Sequence, residues 1–182
     1  MKINSIIEMG WKPVGSLNAD AIHIKELKDY IKKKYKISLP PPSVEGIFSF
    51  TEICNFSGKN FEKFLGILFT KMGYDVIQTQ DSHDQGCDLI ISNKYTKMVV
   101  QAKNHNKNIG NDAVQQVKAA IDHYQASSGA IIATTDYTKS ARELAESNKI
   151  LLINGNELSK LLFFFPIDET EIQDSIPFSQ KY

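Results

Sequence analysis

Apolar residues recur along the chain at two spacings, three to four apart where a helix is expected and two apart where a strand is expected, and their order predicts the architecture. From Asn60 to Met72, Phe61, Phe64, Leu65, Leu68 and Phe69 form one broad apolar face; Ser57 stands ahead as a cap and Gly73 behind as a C-cap. Tyr74 to Thr79 alternates as a strand. Two β-rich runs, Cys87 to Ile91 and Met98 to Ala102, are joined by Ser92-Asn93-Lys94, a hairpin signal. Val114, Val117, Ala120, Ile121 and Tyr124 keep helical spacing within Asn111 to Gln125. Gly129 to Thr134 is compact and apolar, as in a strand covered on both faces. A helix over Thr138 to Asn148, a strand over Lys149 to Ile153, a turn at Asn154-Gly155 and a helix from Glu157 to Phe164 complete the series. The order predicts an α/β fold, a mixed sheet flanked by helices with right-handed crossovers.

Both ends differ from this centre. Within residues 1–55, Asn18 or Asp20 caps a helix carrying Ile24, Leu27, Ile31 and Tyr35 as one stripe. It ends in Lys32, Lys33, Lys34 and Lys36 before Leu39-Pro40-Pro41-Pro42, where no helix can continue. The lysines suit a solvated helix end, favoured by the macrodipole, or a patch that contacts phosphates. The expected organisation is an N-terminal helical extension with a Pro-rich linker over 1–55, a core over 56–165 and an acidic tail over 166–182, with Asp168, Glu169, Glu171 and Asp174. Phe163-Phe164-Phe165 before the tail reads as core or subunit contact.

Composition narrows the classes. The chain has 182 residues, 42% hydrophobic and 23% charged, enough for one domain with a sizeable core plus an appendage. Net charge is zero and Arg142 is the single arginine, so bulk charge does not point to nucleic acid. Cys54 and Cys87 offer neither a disulfide framework nor zinc spacing, and both read as buried free thiols. The opening residues lack the apolar core of a signal peptide and no run reaches the length of a membrane span, so a cytoplasmic setting is expected.

Candidate chemistry concentrates between Asp84 and Lys103. Antiparallel pairing of the two hairpin runs brings Asp88, Gln101 and Lys103 to one end, and alternation projects Gln101 and Lys103 from one face with Ala102 opposite. A lysine facing an aspartate at the end of an apolar strand is costly unless paired or functional. An edge strand running out into solvent is the plainer account, since strand ends often carry such charges.

The spacing resembles the PD-(D/E)xK nuclease superfamily and, within it, the Mrr-type restriction endonucleases, in which glutamine replaces the acidic residue before the lysine. The pattern falls on Asp88 and Gln101-Ala102-Lys103, with Asp84-Gln85-Gly86 as the lead-in, Phe61-Glu62 and Gly73-Tyr74 upstream, and LLINGNEL from Leu151 downstream. It spans roughly Phe56 to Leu162. The resemblance implies a restriction-endonuclease-like core and a divalent-metal-dependent DNA endonuclease using Mg2+ or Mn2+. Asp88 is then the direct ligand, Glu62 supplies the second negative charge, the Gln101 amide oxygen and the Ala102 carbonyl complete the set, and Lys103 orients the attacking water and stabilises developing charge. Asp84 shapes the loop or ligates metal. His83 and His105 flank this site, and Gln115 follows it on a helix; with Lys32, Lys33 and Lys34 they are the expected contacts to double-stranded DNA. A homodimer is expected, because duplex cutting takes two hydrolytic events and the chain holds one site. Two alternatives stay open: a structure-selective nuclease like the Holliday-junction resolvases, and a binding module whose nuclease fold has lost activity.

Overall fold

The computed structural model describes residues 48–79 and 86–174. The expected N-terminal helix with its lysines, the proline stretch, the expected loop with Asp81, His83 and Asp84, and residues 175–182 lie outside the described residues.

The first helix, α1 (Phe50–Cys54), has no counterpart in the sequence pattern. Five residues are too few to show a period, but the ends are well marked: Ser49 and Glu52 form a reciprocal capping box. Ile53 is fully buried. Adjacent helical residues point about 100° apart, so burying Ile53 turns Cys54 outward. Cys54 is exposed, against the expectation of a buried thiol, whereas Cys87 is buried as expected.

Helix α2 (Gly58–Lys71) begins where Ser57 Oγ accepts from the Asn60 N–H at 3.2 Å and is followed by Gly73 at φ +93°. Its Phe61, Phe64, Leu65, Leu68 and Phe69 are buried, each burial contributing about 1.5–3 kcal/mol. Strand β1 (Asp75–Gln78) follows at the edge of the sheet, shorter than expected, its register with the next strand running only from Asp75↔Ser92 to Gln78↔Leu89. Strands β2 (Leu89–Ser92) and β3 (Lys97–Lys103) pair antiparallel in the register Leu89↔Val100 to Ser92↔Lys97. Their turn centres on Asn93, whose Oδ1 accepts from the backbone N–H groups of Tyr95 and Thr96 at 2.8 and 3.1 Å.

From β3 the chain crosses through α3 (Asn111–His123) to β4 (Ser128–Ala133), through α4 (Lys139–Ser147) to β5 (Leu151–Ile153), and into α5 (Gly155–Phe164). The sheet order is β1-β2-β3-β4-β5, antiparallel across β1, β2 and β3 and parallel across β3, β4 and β5. Alternation divides the core into two layers. Leu89, Ile91, Met98, Val100, Ala130 and Ile132 face α1, α2 and α5, while Ile90, Val99, Ile131 and Ala133 face α3 and α4. On the second face, the buried Tyr137 hydroxyl lies 2.7 Å from the Ile131 carbonyl and 2.9 Å from that of Ile153, bridging β4 and β5. Burial, reinforced by the nearby Glu157 carboxylate, pushes that phenol well above its usual range, so it remains a donor.

The first part of the acidic tail docks on the core. Phe165 and Ile167 are buried, while Phe163 is 46% exposed. The short helix α6 (Glu169–Asp174) lies along α2, where Lys71 Nζ meets Glu171 Oε2 at 2.7 Å. Among the described residues no helix is long and apolar enough to cross a membrane.

Candidate active site

The hairpin brings Asp88, Gln101 and Ala102 into direct contact. Gln101 Nε2 donates a short hydrogen bond to Asp88 Oδ2, and the Ala102 backbone N–H donates to the same oxygen at 2.6 Å. Both side chains are buried, Asp88 at 9% and Gln101 at 5% exposure, so the carboxylate relies on these donors in place of water. The backbone explains the second bond. Leu89↔Val100 is the last register pair of the hairpin, the Val100 carbonyl accepts from the Asp88 N–H at 2.9 Å, and two residues on Ala102 directs its N–H and carbonyl to the same side. The Asp88 carboxylate meets that N–H.

Asp88 reaches this position because the alternation of its strand breaks. Cys87 packs in the α3 layer and Leu89, two residues later, in the α2 layer. Thr79 holds the bend from the other side: its N–H donates to the Asp88 carbonyl at 2.9 Å and its hydroxyl to the Cys87 carbonyl at 2.6 Å. Gly86 initiates the bend at φ +86°, and a Cβ there would lie 2.8 Å from the Gln116 carbonyl oxygen of α3. Gly86→Ala is therefore expected to destabilise the fold by about 1–3 kcal/mol, read as a lower urea midpoint at unchanged m-value. An unchanged midpoint would show that the bend does not need glycine.

Lys103 ends β3, half-buried, and shares with Gln101 the face that Val99 presents to α3. Glu62 is on α2, half-buried, and accepts from Gln78 Nε2 at 3.2 Å. Gln78 is the register partner of Leu89, the residue after Asp88, so β1 links the helix carboxylate to the hairpin. Of the expected nucleic-acid contacts, His105 is exposed in the loop after β3 and Gln115 is exposed on α3; Lys32, Lys33, Lys34 and His83 lie outside the described residues. Another carboxylate at this end of the sheet, Asp136, is already engaged. Burial pushes its carboxyl up, but hydrogen bonds from Asn154 and the Tyr137 N–H, together with the Arg142 guanidinium, hold it below the usual carboxylate range.

The sequence pattern did not single out Gln78 or Asn104. Glutamine on an exposed edge strand carries no local signal. Asn104 follows Lys103 and contacts residues some fifty positions away. Among the described residues no three His, Cys, Asp or Glu side chains gather as a metal-holding cluster. The donors assembled here are instead one carboxylate, one amide and a backbone edge, with a second carboxylate linked through β1.

Residues 53–162, more than half of the chain, match the family Mrr_cat, described as restriction endonuclease. Among solved structures, a protein of unknown function, AF1548, aligns with a TM-score of 0.52 at 13% identity, over 60% of this chain and 67% of that one. The DNA modification-dependent restriction endonuclease AspBHI aligns with a TM-score of 0.46 at 15% identity, over 91% of this chain and 49% of its own. The MspJI restriction endonuclease, solved with a 27-mer oligonucleotide, aligns with a TM-score of 0.42 at 15% identity, over 84% and 34%. The chain thus spans about half and a third of the length of these two enzymes. No curated protein matches.

Proposed function

The chain belongs to the restriction endonuclease family of the Mrr catalytic domain, a family of nucleases, and on that premise we propose that it is a divalent-metal-dependent DNA endonuclease with Glu62, Asp88, Gln101 and Lys103 as its site. The observation that carries this reading is the convergence of the Asp88 carboxylate, the Gln101 amide and the Ala102 backbone beside Lys103 at the end of β3. The donor chemistry fits a hard cation such as Mg2+ or Mn2+, which takes carboxylate, amide and carbonyl oxygens. Asp88, Gln101 and the Ala102 carbonyl would hold it, with Glu62 adding the second charge. Bound there, such an ion supplies charge neutralisation at phosphate and a water of lowered pKa. Lys103 orients the attacking water and stabilises the negative charge that develops on phosphate, as suits a compact ammonium.

Plasmid DNA incubated with the protein should be cleaved in Mg2+ or Mn2+ and left intact in chelator. Absence of cleavage of supercoiled, linear and branched DNA, together with no calorimetric cation binding that Asp88→Ala removes, would overturn the reading.

Lys32, Lys33, Lys34, His83, His105 and Gln115 are assigned to DNA contact, and residues 1–55 to DNA binding or pairing of two copies. If the lysines touch phosphates, their joint replacement by alanine lowers affinity for all sequences and reduces the salt slope by roughly one unit per lost contact. An unchanged slope returns them to a solvated helix end. Double-strand cutting further requires two copies, so light scattering should find a dimer, free or on DNA. Monomers in both states alongside linear product would contradict that.

A further inference from the structure

Asn104 has a side chain whose three hydrogen bonds connect three separate parts of the fold. Its Nδ2 donates to the Ile53 carbonyl at 3.2 Å and to the Phe56 carbonyl at 2.7 Å, and its Oδ1 accepts from Thr134 Oγ1 at 2.7 Å. Two carbonyls on one side and a hydroxyl on the other fix the orientation of the amide, since only its nitrogen can serve both carbonyls. Ile53 and Phe56 bracket the turn from α1 into Ser57, the N-cap of α2. Thr134 follows the last residue of β4 and donates its N–H to the Lys103 carbonyl at 3.1 Å. The amide therefore spans from the strand that ends in Lys103 to the turn that launches the helix carrying Glu62.

We infer that Asn104 is a positioning residue, setting the start of α2, and with it Glu62, against the Gln101–Lys103 strand. Glu62 is the fifth residue of α2, about 6 Å along its axis from that start, so a shift at the turn is carried almost undiminished to the carboxylate. Apolar packing at the turn does not remove the need for the amide. Phe56 packs edge-on against Phe48 and Phe64, at 5.2 and 5.8 Å between ring centroids, but such contacts tolerate sliding that directional hydrogen bonds do not. The neighbouring junction is tight: a Cβ on Gly155 would fall 2.2 Å from the Thr134 carbonyl oxygen and 2.8 Å from the Phe50 ring. The β4 end, α1 and the start of α5 thus give the amide a rigid base.

The kinetic part of the test rests on the nuclease reading; the exchange part does not. Asn104→Asp keeps the acceptor for Thr134 and loses both donors to the turn. With Mg2+ or Mn2+ and plasmid DNA, this variant and Asn104→Ala are expected to cleave about tenfold to a hundredfold more slowly at saturating DNA, with half-saturation within about twofold of wild type. Thr134→Ser keeps the hydroxyl and is expected to retain the rate, whereas Thr134→Val loses it. Amide hydrogen exchange should accelerate in Asn104→Asp across Ile53 to Phe61 and stay slow at Met98 to Val100 in the centre of β3. Unchanged cleavage in both Asn104 variants, or rate and affinity falling together, overturns the positioning role. Exchange that is unchanged, or that rises equally across the sheet, overturns the link itself. If wild-type protein cleaves no DNA, the nuclease reading fails and exchange alone decides the link.

Discussion

Replacing Lys103 by alanine is expected to leave a folded protein whose cleavage of plasmid DNA falls by about a hundredfold or more, the usual consequence of removing a charge contact made in the transition state. The fold tolerates the change because what Lys103 contributes to it is backbone. Its register partner is Ala133, and its carbonyl accepts from the Thr134 N–H, a bond that truncation beyond Cβ leaves intact. The side chain is half-buried at the end of an otherwise apolar strand, so removing it deletes no core packing comparable to that of Val99 or Val100. Lys103→Arg should recover only part of the rate, since a planar fork does not reproduce a compact ammonium. Single-turnover cleavage with a circular-dichroism melt separates the two effects. An alanine variant that cuts within a few-fold of wild type would remove Lys103 from the chemistry.

Legibility in the sequence followed the range of each interaction. Helix α2 could be read from Ser57, Gly73 and the five apolar residues between them, because a cap, a left-handed glycine and an amphipathic stripe act within a few turns. The hairpin, and with it the meeting of Asp88 with Gln101, followed from two β-rich runs and a short polar turn. Its details did not. Asn93 sets the turn through its own side chain, and the broken alternation between Cys87 and Leu89, which delivers the Asp88 carboxylate to the Ala102 N–H, depends on Gly86 lying against α3. Helix α1 leaves no trace in the pattern because five residues show no period, and the exposure of Cys54 depends on that helix. The docking of residues 165–174 on α2 was hidden by an acidic composition that resembles a solvated tail; one carboxylate there, Glu171, has Lys71 as partner from far along the chain. Gln78 and Asn104 connect segments distant in sequence, and polar residues making such links look locally like any exposed amide.

Gln101→Glu is the second large effect, expected in stability before activity. In the folded protein the Gln101 amide donates to Asp88 Oδ2 at a buried position. Glutamate removes that donor and sets a second carboxylate against the first, where little water is present to screen them. In chelator the variant should lose about 2–3 kcal/mol, a fall of roughly 5–10 °C in Tm. If the proposed site takes a cation, its binding would reverse the effect, because anything that binds only the folded state raises its apparent stability by RT ln(1 + [L]/Kd), and the added charge would lower Kd. The Tm rise on adding Mn2+ or Mg2+ should therefore be larger for the variant than for wild type, with cleavage retained in at least one of the two ions. Equal melting in chelator and equal cation response in the two proteins would mean that position 101 does not face the cation.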